Sequence, residues 1–181
     1  MKLHRKKEGK GPIVLENLEP FFIDQLRRLP GFADPQDDPA AKARLFSAPM
    51  SRGGDGDEFN EDWERYVEPE IRSLFRTARG TVEEDLASLP EFAGQEPMEA
   101  YDPVAFMPTS AKLEIPLGNV EAWLSVLNQA RLVIAARRGF GERDMDEDLP
   151  FPPLSDRDLD LFRVHFYDFL QQVLLKELGF D

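Results

Sequence analysis

Asp144, Asp146 and Asp148 alternate along the chain, and alternating carboxylates of this kind could bind a calcium ion. An EF-hand loop requires glycine at its sixth position and glutamate at its twelfth. Counted from Asp144, those positions hold Leu149 and Ser155, so the motif is not met. We interpret the segment as a solvated acidic loop, with a looser divalent-cation site as the alternative, and we predict no metal.

The histidines and the glycines offer no further catalytic motif. The chain has two histidines, His4 and His165, and no cysteine, whereas a zinc site needs several nitrogen or sulfur ligands. The nucleophile elbow GxSxG, the phosphate loop GxxxxGK[ST] and the dinucleotide motif GxGxxG are all absent from the sequence. A Ser–His–Asp triad built on His165 stays an alternative, but no catalytic residue is assigned and no cofactor is predicted.

One arginine in an apolar helix is the best candidate for a functional side chain. Arg131 lies between Ala130 and Leu132, and a partly buried guanidinium needs a carboxylate or carbonyl partner. It could form an ion pair that joins two helices, or it could bind a ligand together with polar residues nearby. Asn128 and His165 are those polar residues, so the candidate binding site is Asn128, Arg131 and His165.

Two amphipathic helices in the last third of the chain would position these residues. The first is predicted from Asn119 to Arg138, with Gly139 as its C-cap. The second is predicted from Ser155 to Leu178, with Ser155 and Asp158 spaced as an N-terminal capping box. Its apolar face is wide enough for a central helix and includes Leu159, Phe162, Phe166, Phe169, Leu170, Val173 and Leu174.

The rest of the chain predicts shorter elements around this pair. Helices are expected over 18–29, ending at Pro30–Gly31, over 40–46, from Asn60 with an interruption at Pro69, and over 82–89 after a break at Gly80. Residues 12–15 form a short β-prone segment, and residues 111–115 alternate between apolar and charged side chains. The two segments are expected to pair as strands. The predicted fold is mainly α, a single-domain bundle of about five helices with a short two-stranded β ribbon.

Charge and composition indicate how the chain is organised. The chain has 181 residues, a net charge of −13 and 41% hydrophobic residues. Residues 1–10 carry a local charge of +4 and are expected to form a basic, disordered tail in front of one α-helical domain over 11–181. Within that domain we expect a mobile loop at 47–58 and a Pro-rich connector at 90–110.

The acidic body repels phosphate backbones and anionic lipid surfaces. We therefore expect no membrane partner, and nucleic-acid binding is disfavoured. The sequence contains no long apolar stretch and no signal-peptide pattern, so a cytoplasmic location is expected.

The helix after Asn119 also carries a resemblance. The stretch EAWLSVLNQARLVIAARRG, at 121–139, resembles a bacterial family of actinobacterial type known only as domain of unknown function twenty-seventeen. Phe75-Arg76 followed by TVEEDL at 81–86, and the aromatic closing helix around Tyr167, resemble two further stretches of that family. The resemblance implies a helical fold and a bacterial cytoplasmic origin, and it implies no mechanism.

These observations favour a non-enzymatic protein-interaction or regulatory module with a protein partner or self-association. The basis is an abundance of packing signals without a reaction centre. The alternative is a small-molecule- or metal-dependent enzyme whose site lies between the last two helices.

Overall fold

A computed structural model describes residues 2–5, 11–49, 56–91 and 111–180 of the chain. Helices dominate these ranges, which confirms the predicted mainly α fold. No helix in them is both long and apolar enough to cross a membrane. In chain order the elements are β1 (Lys2–Arg5), β2 (Ile13–Glu16), α1 (Pro20–Ala33), α2 (Pro39–Phe46), α3 (Gly56–Asp62), a π-helical turn (Trp63–Val67), α4 (Glu68–Leu86), β3 (Lys112–Ile115), a 3-10 turn (Leu117–Asn119), α5 (Val120–Arg138), α6 (Glu142–Met145) and α7 (Asp156–Glu177).

Helices α5 and α7 pack against each other at the centre of the fold, and α1, α2 and α4 pack around α5. Both helices begin and end as the sequence predicts. Gly139 follows α5 with a φ of 67°, a left-handed conformation that glycine adopts at low cost. The Ser155 hydroxyl accepts a hydrogen bond from the Asp158 N–H at 3.1 Å and so caps α7. The fully buried Trp123 and Tyr167 lie in the shared core.

The predicted ribbon is confirmed and is larger than expected. Strand β2 pairs antiparallel with β3, with Ile13 opposite Ile115 and Leu15 opposite Leu113, so these four buried side chains share one face. Strand β1 pairs with the other edge of β2. Residues 2–5 therefore form an edge strand within the segment for which we expected a disordered tail, because β2 offers a second row of backbone hydrogen-bonding groups.

Two predicted helix boundaries are wrong. Helix α1 continues through Pro30 to Ala33, and α4 continues through Gly80 to Leu86. The side chains next to these two positions are buried: Leu29 and Ala33 in α1, Val82 and Leu86 in α4. Their core packing outweighs the hydrogen bond lost at Pro30 and the helix penalty of Gly80.

The interruption predicted at Pro69 is confirmed. The π-helical turn ends at Val67, and α4 restarts with Pro69 in its first turn, where proline needs no N–H partner. Half of the predicted mobile loop, residues 50–55, and nearly all of the Pro-rich connector lie outside the described residues. Residues 56–58 of that loop already belong to α3.

Candidate functional site

Arg131 joins α5 to α7. Its Nη2 lies 2.7 Å from Oδ1 of Asp168, and its Nη1 donates a hydrogen bond of 2.8 Å to Oε1 of Gln171. The Arg131 and Asp168 side chains are 29% and 39% exposed, so the pair sits at the margin of the helix interface. Arg131 Nε is buried and has no hydrogen-bond partner in the described part of the chain. These contacts account for Arg131 as a residue that holds two helices together.

The other two predicted site residues lie near this pair in the helical register. Asn128 is exposed and precedes Arg131 by one turn of α5. His165 precedes Asp168 by one turn of α7, and its Nε2 is buried without a hydrogen-bond partner among the described residues. A ligand role for Asn128, Arg131 and His165 stays a prediction. Within the described ranges, no three His, Asp or Glu side chains are grouped so that they could hold a metal ion.

Replacing Arg131 with alanine is expected to lower the free energy of unfolding by about 1 kcal/mol, because the ion pair is partly exposed and screened by water. Asn128→Ala is the matched control on the same helix face, and it should leave stability unchanged within error since Asn128 is exposed. Urea unfolding followed by circular dichroism measures both variants. Equal changes in the free energy of unfolding for the two variants would contradict a structural role for Arg131.

A second polar network, between α1, α5 and α7, lies deeper than the predicted site. Arg163 donates from Nε to Oε1 of Gln25 at 2.8 Å and from Nη1 to Oδ1 of Asp160 at 2.5 Å. Arg138 donates from Nε to the other Asp160 oxygen at 2.5 Å, so one buried carboxylate is shared by two guanidinium groups. The Arg163 guanidinium also lies 4.4 Å from the centre of the Phe32 ring.

Tyr167 completes this network. Its hydroxyl donates to the backbone carbonyl of Gln25 at 2.8 Å, and burial raises the pKa of that hydroxyl above its ordinary value. The i, i+3 spacing of Asp160 and Arg163 was a visible signal of an ion pair. Nothing in the sequence indicated Gln25, which lies 138 residues from Arg163 along the chain.

A third polar cluster ties the end of α4 to the start of α5. The Asp85 carboxylate accepts hydrogen bonds from Asn119 Nδ2 at 2.9 and 3.1 Å and from Trp123 Nε1 at 2.8 Å. Trp123 is only 1% exposed, so its indole fills the core while its single donor reaches the carboxylate. Like the two clusters above, this one holds helices in place.

An aromatic surface lies where α1, α7 and the preceding loop meet. Phe162 stacks on Phe166 at 5.8 Å between ring centres, and Phe22 of α1 lies 5.3 Å from Phe166. Phe151, from the loop before α7, lies 5.8 Å from Phe162. Phe169 continues the same α7 stripe one turn beyond Phe166. We name these five residues, Phe22, Phe151, Phe162, Phe166 and Phe169, the aromatic surface.

Part of the aromatic surface is open to solvent. Phe151 is 57% exposed and Phe169 52% exposed, and Leu154, close to Phe151 in the chain, is 80% exposed. Soluble proteins seldom expose large apolar side chains together unless they form an interaction site. The sequence placed Phe162, Phe166 and Phe169 on one helix face, but only the structure shows which of them remain uncovered.

Acidic residues flank Phe151 along the chain, and we name residues 142–158 the acidic rim. Residues 142–158 contain seven carboxylates and two arginines, a net charge of −5. Arg157 lies 2.5 Å from Asp144 and 2.9 Å from Glu147. A hydrogen bond from the Gly141 N–H, followed by the Arg157 charge, lowers the pKa of the Asp144 carboxyl below its ordinary value. Asp144 therefore keeps its negative charge at neutral pH.

Comparison with known proteins identifies one family. The family model described as a domain of unknown function, DUF2017, matches residues 14–178. No curated protein and no solved structure matches the chain. The matched range contains α5, α7, the Asp85–Trp123 cluster and the aromatic surface.

Proposed function

The chain belongs to the family of domain of unknown function DUF2017, and we propose that it is a non-enzymatic interaction module that binds a basic, amphipathic helical segment of another protein on its aromatic surface. The observation that carries this proposal is a pair of half-exposed phenylalanines: Phe151, whose ring contacts Phe162, and Phe169, one helical turn beyond Phe166. We also propose that the protein acts in the bacterial cytoplasm, the location expected from the family resemblance and the composition.

The architectural use of the polar residues supports a binding role over a reaction centre. Asp85, Asp160 and Arg131 each form a hydrogen bond to a neighbouring helix. Side chains held in such contacts keep α5 and α7 rigid. A rigid α7 presents Phe162, Phe166 and Phe169 in one arrangement, which lowers the entropic cost of binding.

The charge around the aromatic surface selects the partner. A segment with an apolar face can cover Phe151 and Phe169, and lysines or arginines on its flanks would meet the acidic rim of residues 142–158. Asp146, Asp148 and Asp156 have no ion-pair partner within the described residues, so their charges are available to a partner. A second copy of the chain would bring two acidic rims together, which disfavours self-association through this surface.

Titration with designed peptides tests this proposal. A helical peptide of leucine and lysine should bind the full chain, and its affinity should fall as salt rises. The same peptide with glutamate in place of lysine should not bind. Equal binding of both peptides, or dimerisation of the protein through the aromatic surface in sedimentation experiments, would contradict the proposal.

Alanine variants test whether the basic peptide binds at the aromatic surface. Phe151→Ala/Phe169→Ala should weaken binding of the basic peptide by about tenfold or more, since exposed aromatic anchors dominate such interfaces. Phe59→Ala/Tyr66→Ala is the matched control, because Phe59 and Tyr66 are 50% and 59% exposed on α3 and the π-helical turn. If the control weakens binding as much as the test variant, the aromatic surface is not the binding site.

A further inference from the structure

A cleft at the C-terminal end of α5 contains guanidinium groups whose donors are not all used. It lies between α1, α2, α5 and α7 and has a volume of about 370 Å³, within the range of small-molecule sites. Phe32 and Ile134 supply apolar walls. Asp38, Arg137, Arg138 and Asp160 supply the polar lining. We name this cavity the arginine cleft.

The two lining arginines are held in place but keep free donors. Arg138 donates to Asp160 from Nε alone, and its terminal nitrogens have no hydrogen-bond partner among the described residues. Arg137 donates from Nη2 to the carbonyl of Asp34 at 2.9 Å. Its Nε lies 3.9 Å from Asp38, which is too far for a hydrogen bond. Both guanidinium groups can therefore accept a further anionic partner.

The lining of the cleft is balanced in charge, whereas the protein as a whole is acidic. Arg137 and Arg138 bring two positive charges against the two carboxylates of Asp38 and Asp160, and Arg163 also pairs with Asp160. The lining therefore carries no net negative charge in a chain of net charge −13. One Asp38 oxygen also accepts the Ala41 N–H at the start of α2, so Asp38 is held by its own helix.

A smaller cavity provides a useful contrast. It has a volume of about 220 Å³ and is lined by Arg27 and Glu83 among others. Arg27 is already bonded to the carbonyl of Leu89 at 2.8 Å and to the Glu91 carboxylate at 2.5 Å. Both terminal nitrogens of Arg27 are therefore occupied, whereas Arg137 uses one of its terminal nitrogens and Arg138 uses neither within the described residues.

We propose that the arginine cleft binds a small organic carboxylate, with the carboxylate on the guanidinium groups of Arg137 and Arg138 and an apolar group between Phe32 and Ile134. A planar guanidinium matches a carboxylate through paired hydrogen bonds. This site is separate from the aromatic surface, and neither proposal depends on the other.

The test uses 3-phenylpropionate as the probe and 3-phenylpropanol as its neutral analogue. Nuclear magnetic resonance titration of the full chain should show saturable binding of the carboxylate at concentrations up to about 10 mM, and no binding of the alcohol. Arg137→Gln should lower the affinity for 3-phenylpropionate by about tenfold, since a charged hydrogen bond is lost. Arg138→Gln should do the same, and Arg137→Gln is the safer variant because it leaves Asp160 paired.

Arg28→Gln is the matched control. It removes the same charge from an exposed ion pair with Asp24, outside the arginine cleft. It should leave probe affinity unchanged. The proposal would be overturned if the wild-type chain showed no saturable binding of the carboxylate or bound the alcohol equally well. It would also be overturned if Arg28→Gln lost as much affinity for the carboxylate as Arg137→Gln.

Discussion

Replacing Trp123 with alanine is expected to lower the free energy of unfolding by about 3–5 kcal/mol. Trp123 is almost completely buried where α5 meets the core, and the substitution removes an indole that the surroundings cannot replace. It also removes one of the donors to the Asp85 carboxylate. Urea unfolding followed by far-ultraviolet circular dichroism measures the change.

Conservative variants separate packing from hydrogen bonding at this position. Trp123→Phe retains an aromatic ring but leaves one Asp85 oxygen without its indole donor, and should cost about 1–3 kcal/mol. Trp63→Phe is the matched control, because Trp63 Nε1 has no hydrogen-bond partner in the described part of the chain. A larger loss from Trp63→Phe than from Trp123→Phe would contradict the role assigned to the Asp85 bond.

Replacing Arg163 with alanine is expected to lower the free energy of unfolding by about 3 kcal/mol, the lower end for a broken buried pair. Asp160 would keep only Arg138, which is 43% exposed, and Gln25 would lose its charged donor. The stacking on Phe32 would be lost as well. The midpoint of urea unfolding should shift to clearly lower concentration.

Arg157→Ala is the control for Arg163→Ala on the same helix. Arg157 also binds two partners, Asp144 and Glu147, but its side chain is 45% exposed to solvent. Its removal should leave the unfolding midpoint within error of the wild type. Similar midpoints for the two variants would show that burial of the Arg163 network contributes nothing to stability.

Much of the helical framework was predictable because its signals are local. Gly139 and Ser155 mark helix ends through backbone geometry and capping, and both act as predicted. The alternation of Leu113 and Ile115 predicted β3 and its pairing with β2. The errors at Pro30 and Gly80 occur where core packing of neighbouring side chains overrides a local preference.

The candidate functional surfaces were less predictable because they depend on distant contacts. Arg131 was correctly singled out as a residue that needs a partner, but its partner Asp168 lies on another helix. Gln25, Arg163 and Asp160 form one network only after α1 packs beside α7. The exposure of Phe151 and Phe169 depends on which neighbours cover the stripe, and periodicity carries no such information.

Stability and peptide binding are expected to depend on different side chains. We propose that the polar residues between the helices stabilise the fold and that the exposed phenylalanines bind the partner. Phe169→Ala should therefore weaken binding of the basic peptide with little loss of stability, since half of its ring is already in water.

Mapping of amide chemical shifts in the isotope-labelled full chain, with and without the basic leucine–lysine peptide, locates the peptide-binding surface. We expect the shifts to cluster from Phe151 to Phe169 and around Phe22, with little change at Phe59 and Tyr66. Shifts centred on Phe59 and Tyr66, or no saturable change anywhere, would contradict the proposal.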